Sequence, residues 1–175
     1  TSVNNSNFSW ALNSVVKKEA SGINKNTFTF QAGSLGSVYK IGVNILTPDG
    51  NNLSDSISLT VSDFDLTWDA NSQAPAPYKG KLLPTQNSTV NVSVLPFVYQ
   101  PGAKTLLASA SLIYSWYVDD KFSAGSSGMG KSNLILTIKD YAGASKNVRL
   151  EIKTSDGAVL INRSIEIPIV RPQVF

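Results

Sequence analysis

Residues 125–132 read GSSGMGKS, the spacing G-x-x-x-x-G-K-S that cradles phosphate in nucleotide-hydrolysing proteins. Such a loop follows a strand and opens a helix, so that backbone N–H groups and the helix N-terminus converge on the anion. Here the following stretch, SNLILTIKD, alternates and is rich in large apolar and β-branched residues, the pattern of a strand. An aligned stretch near the start of the chain, SGINKN from Ser21, has Asn24 where Gly130 stands and Asn26 where Ser132 stands. A phosphate loop does not survive those exchanges. A turn does, because Asn and Gly both tolerate positive φ. Gly128 and Gly130 are therefore turn residues leading into a strand, and nucleotide binding is excluded.

Other reactive spacings are equally weak. Ser14 with Lys17 and Ser37 with Lys40 match S-x-x-K, but a Ser–Lys nucleophile needs the pair on a helical turn in an enclosed pocket. Both pairs fall in loop or strand contexts. The chain has no His and no Cys, which removes the commonest general base, the thiolate nucleophile, disulfides and soft metal sites. Asp63, Asp65 and Asp69 surround the expected junction of two domains, and Asp156 sits in a loop expected near it. Hard carboxylate oxygens there form a candidate calcium site, the one cofactor the sequence suggests. Asn4, Asn7, Asn52, Asn87, Asn91 and Asn162 begin N-x-S/T sequons in a chain already rich in these residue types. Tyr78, Lys79 and Lys81 form a Pro-flanked segment that suits a partner contact. Trp68, Tyr78, Tyr99 and Tyr117 are the aromatics from which a sugar-binding face would have to be built.

The composition frames these candidates. The 175 residues are 42% hydrophobic and 15% charged, enough for one large core or two small ones. A net charge of +3, with basic residues scattered and Lys17-Lys18 the densest pair, gives no footprint for nucleic acid. No apolar run approaches the roughly 20 residues that span a bilayer. The polar, weakly charged surface suits an extracellular β protein.

The elements that hold these residues are repeated. FSWALN at Phe8–Asn13 matches YSWYVD at Tyr114–Asp119, and Trp10 precedes Trp116 by 106 residues. The same offset aligns SGINKNTFTF with SGMGKSNLIL, and TPDG at Thr47 matches TSDG at Thr154 with one residue more. Tyr39, Ile41, Val43 and Ile45 alternate with polar or small residues, as do Val148, Leu150 and Ile152, and Ile165, Ile167 and Ile169. That period buries one face of a strand and wets the other. No amphipathic helix is evident. In the second copy the pattern predicts strands over Phe64–Asp69, Ser88–Val98, Leu112–Val118, Asn133–Ile138, Asn147–Thr154 and Val159–Val170. The expected fold is all-β: two tandem immunoglobulin-like β-sandwich domains, a partial one over 1–62 and a complete one over 63–175.

The first copy opens almost at its Trp strand, with Phe8–Leu12 and Thr27–Gln31 as strands and no room for the two before them. Its inward residues (Trp10, Phe28, Phe30, Tyr39, Ile41, Val43, Ile45, Ile57 and Leu59) cannot all be covered from within. The expectation is completion in cis by residues upstream of Thr1 or by another chain. A filament subunit completed by strand donation is the alternative.

These features resemble tandem immunoglobulin-like or PKD-like modules of bacterial surface proteins. The resemblance is carried by FSW and YSW on the Trp strand, SG-x-x-K before an alternating strand, and T-x-DG between the last two strands. APAPYKGKLLPTQNSTVNVSVLP is similar to a segment in two-domain cassettes of membrane-anchored surface proteins from small-genome bacteria. The resemblance implies an exported, non-catalytic structural or adhesive region, a spacer or protein-interaction scaffold, whose signal and anchor lie outside this stretch. Its partners would be other surface or filament chains, with glycan binding as the rival. It maps Trp10 and Trp116 to the core Trp of each sandwich and assigns no site residue.

Overall fold

A computed structural model describes residues 4–72 and 81–171. It is all-β: among the described residues the only helical segments are two single 3₁₀ turns, Lys18–Ala20 and Ser109–Ser111. The chain forms two compact units. One comprises Thr1–Ser62 with the excursion Tyr99–Leu106, the other Asp63–Val98 with Leu107–Phe175.

The first unit contains β1 (Asn7–Leu12), β2 (Val15–Val16), β3 (Gly22–Ile23), β4 (Val38–Leu46) and β5 (Asn52–Thr60). They form a single antiparallel sheet in the order β2-β1-β4-β5, with β3 also on β1. The second unit contains β6 (Asp63–Ala70), β7 (Thr89–Phe97), β8 (Ile113–Val118), β9 (Lys121–Phe122), β10 (Gly128–Met129), β11 (Asn133–Thr137), β12 (Ser145–Lys153) and β13 (Leu160–Pro168). One sheet runs β10-β8-β12-β13 with β9 on β8, and a second runs β11-β7-β6. The strands predicted for the second copy are found within two residues of their expected ends. Those two sheets make the complete immunoglobulin-like sandwich. The first unit repeats only the first of them, and β1 to β5 correspond to β8, β9, β10, β12 and β13.

The core follows from this difference. In the second unit Phe64, Val90, Val92, Tyr114, Trp116, Leu134, Val148, Leu150 and Ile152 are each at most 1% exposed, because residues alternating on two sheets close on one another. In the first unit the registers Trp10↔Val43, Leu12↔Ile41 and Ile41↔Ile57 put the expected apolar residues on one sheet face. Phe8 is the only hydrophobic residue of that unit that is fully buried among those described, and Ile57 remains 61% exposed.

The sequence pattern predicts a strand over Thr27–Gln31, and here the structure differs. The segment makes no strand ladder. Its counterpart β11 is a strand because β7 pairs with it from Asn133↔Ser93 to Thr137↔Thr89. The first unit has no counterpart of β6 or β7 among its described residues. Alternation places the side chains, but a strand also needs a partner for its N–H and C=O groups.

Candidate functional site

The two Trp strands show what the glycine-rich loop does. Trp116 donates its indole N–H to the Lys131 carbonyl at 2.9 Å, and its backbone N–H to Ser127 Oγ at 2.9 Å. Ser127 in turn donates to the Ser123 carbonyl at 2.7 Å, and Lys131 Nζ donates to the Gly125 carbonyl at 2.7 Å. Residues 125–132 therefore close around a buried indole, and a strand follows them. Lys131, the residue that would meet a phosphate, is engaged by the loop itself. The first copy repeats the frame bond for bond. The Trp10 indole donates to the Lys25 carbonyl, its backbone N–H to Ser21 Oγ, Ser21 to the Lys17 carbonyl and Lys25 Nζ to the Glu19 carbonyl.

The backbone agrees. Asn13 and Ser14 have φ of 48° and 68°, and Asp119 and Asp120 have 48° and 61°, the two left-handed residues of a tight hairpin turn. Asn24 at φ 60° stands for Gly130 at φ 71°, so the exchange read from the sequence is one between two residues that accept this conformation. Lys17 contributes its carbonyl to this frame. Ser37 accompanies Ser34 in a turn before β4. Neither S-x-x-K pair lies on a helix turn.

The carboxylates proposed for calcium are not gathered. Among the described residues no three acidic side chains stand close enough to hold a metal ion. Asp63 and Asp65 instead face Arg163, whose guanidinium lies 2.8 and 2.9 Å from the two Asp63 oxygens and 3.5 Å from Asp65. Asp69 lies farther along β6. Asp156 sits in the β12–β13 turn, where its bond to the Thr154 side chain and the Ala158 N–H hold its carboxyl below the usual range. Sequence spacing shows carboxylates, but not a cation that arrives from 100 residues away.

Lys81 stands with its ammonium 3.6 Å from the centre of the Trp68 ring, a cation–π contact. Tyr78 and Lys79, the rest of the expected partner contact, lie outside the described residues. Trp68 is half-buried and packs against the core. Tyr117 lies under the Arg149 guanidinium at 3.8 Å, with Phe122 at 5.5 Å in a tilted arrangement. Tyr99 is half-buried. The exposed aromatics that sequence reading missed are Phe122 and Tyr141, 55% and 77% exposed. They follow or precede turn residues, where alternation gives no signal.

One titrating latch distinguishes the copies. Asp119 accepts Lys146 Nζ at 2.6 Å and the Asn147 N–H at 3.1 Å, and Lys146 also reaches Asp140 at 2.9 Å. The Lys146 bond, foremost, holds the Asp119 carboxyl below its ordinary 3.8, while partial burial opposes it. In the first copy Asn13 accepts the Lys40 N–H at 2.9 Å without a charge. Because the folded carboxyl releases its proton more readily, the unfolded chain binds more protons as pH falls. The latch's contribution is therefore present above about pH 4 and lost as pH drops through the depressed value. With the Asp119 side chain 42% exposed, water screens the pair and its contribution is under about 1 kcal/mol. Asp119→Asn is expected to flatten the acid limb of the second unit's stability curve, measured by urea titration from pH 6 to pH 2. An unchanged limb would contradict this assignment.

Two surface concavities have described linings. One of about 190 Å³ is lined by Val118, Leu136 and Ile138 with Lys146. Another, of about 420 Å³, is lined by Asn4, Asn5, Phe8, Asn24 and Asn26.

No known protein family and no curated protein matches the chain. Among solved structures it is similar to fibronectin(III)-like modules of Clostridium thermocellum CbhA, at 10% identity over 98% of this chain and 81% of that one, with a TM-score of 0.35. It is also similar to the Bacteroides ovatus mixed-linkage glucan utilization locus protein SGBP-B, solved with a mixed-linkage heptasaccharide, at 10% identity and a TM-score of 0.23. The chain covers 60% of that second protein. Both TM-scores lie below 0.5, so the fold stands on the strand ladders described above and not on these likenesses.

Proposed function

We propose that this chain is a non-catalytic structural module of an exported bacterial surface protein, acting as a spacer or protein-interaction scaffold. The observation that carries the reading is what the repeat preserves. Trp, Ser and Lys recur at the same offset in both copies, and in both they bond to backbone inside their own unit. Among the described residues, what the two copies share is a folding frame. The absence of His and Cys from the sequence, and the loop or strand setting of both Ser–Lys pairs, support the same reading. Among the described residues no helix is long and apolar enough to cross a membrane. The resemblance of the repeat motifs to bacterial surface modules supports the export and anchoring in this reading.

A sugar-binding module is the rival class. Such modules stack a sugar ring on open aromatic faces, whereas here a Lys stands over Trp68 and an Arg over Tyr117. A glycan array probed with the 175-residue chain is expected to give no reproducible binding. Reproducible binding to one sugar, lost on Trp68→Ala or Tyr117→Ala, would establish the rival instead.

A further inference from the structure

The copies differ most where the second has β6 and β7. That hairpin sends Phe64, Trp68, Val90 and Val92 into the core, and β7 completes a sheet with β11. In the first unit both seats for such a hairpin are present. One is the sheet face carrying Trp10, Ile41, Val43 and Ile45, whose counterparts Trp116, Val148, Leu150 and Ile152 on β8 and β12 are fully buried, with the exposed Ile57 beside them on β5. The other is the 27–31 segment. Phe28 stacks on Trp10 at 5.7 Å and Phe30 on Phe28 at 5.7 Å, in the places of Leu134 and Leu136. The backbone groups of that segment have no hydrogen-bond partner among the described residues. An extended segment seated by its side chains, with an open edge beside an uncovered apolar face, is a template for strand addition.

Charge narrows the occupant. On β13, Arg163 pairs with Leu150 in the ladder and meets Asp63 and Asp65 of the hairpin, standing 5.5 Å from the Phe64 ring. The matching β5 residue, paired with Val43, is Asp55. Its carboxylate accepts the Ser56 N–H at 2.7 Å and has no cationic partner among the described residues. The sign at this position is reversed between the copies. A hairpin like this chain's own β6–β7 would bring Asp63 and Asp65 against Asp55, and like charges juxtaposed at an interface select against that partner.

We propose that the open face of the first unit seats a β-hairpin of a partner chain, built like β6–β7 but with a Lys or Arg where β6 has Asp63. The hairpin's second strand adds to the edge of residues 27–31, and its first strand brings the cation to Asp55. A second copy of this chain is not the occupant.

The test uses the 175-residue chain and fluorescently labelled peptides of sequence 63–98, one unchanged and one carrying Asp63→Lys and Asp65→Lys. The lysine peptide is expected to bind saturably, at least about tenfold tighter than the unchanged one, and to protect the amides of residues 27–31 from exchange. Asp55→Lys is expected to invert the preference. Asp55 is exposed, and unchanged protection of β1 and β4 shows that the variant keeps its fold. Equal binding of the two peptides, no binding of either, or a preference that Asp55→Lys leaves in place would overturn the proposal. So would sedimentation of the chain alone as a dimer with residues 27–31 protected, which would make the occupant a second copy.

Discussion

Trp116→Ala is expected to destabilise the second unit by about 3–5 kcal/mol, and Trp10→Ala the first unit by about 1–2 kcal/mol. The two residues share every local hydrogen bond, so the difference isolates what lies opposite them. Trp116 is 0% exposed, with a second sheet over its ring, and its removal opens a cavity that rigid neighbours cannot fill. It also leaves the Lys131 carbonyl without its indole donor. Trp10 is half-buried, stacked on Phe28 alone, and water already reaches the space its ring would vacate. Urea titrations followed by NMR signals assigned to each unit separate the two losses, since a chain of two units has no single midpoint. Equal losses would mean that the Trp10 face is covered.

The sequence made the repeat and the strands legible because both are written in local spacing. Trp10 with Trp116, and Ile41-Val43-Ile45 with Val148-Leu150-Ile152, state the period of a strand and its inward face directly. The loop at 125–132 was legible as a turn for the same reason: Asn24 stands for Gly130, and positive φ is what they have in common. What stayed hidden depends on residues far apart in the chain. The alternation of Phe28 and Phe30 is that of a strand, yet strand pairing is a property of two segments and the second is not among the described residues. Asp63 and Asp65 suggested a cation of some kind. That it is the guanidinium of Arg163 is fixed by the closing of β6 on the edge of β13, which no local pattern encodes. The covered faces of Trp68 and Tyr117 are hidden likewise, because Lys81 and Arg149 reach them through the fold.

The second unit is a closed sandwich, whereas the described residues of the first form one sheet and a lone extended segment. Amide hydrogen exchange resolved by residue separates the two, because protection of this kind reports hydrogen bonding of the backbone and not the side-chain pattern. β4 and β12 serve as internal references, as each lies between two partners in its sheet. The amides of β11 that bond to β7 are expected to exchange at least about a hundredfold more slowly than those of residues 27–31. The latter should run near the rates of an unstructured chain while β4 stays protected. Comparable protection of residues 27–31 and β11 in the chain alone would mean that the first unit already possesses its second sheet and has no open face.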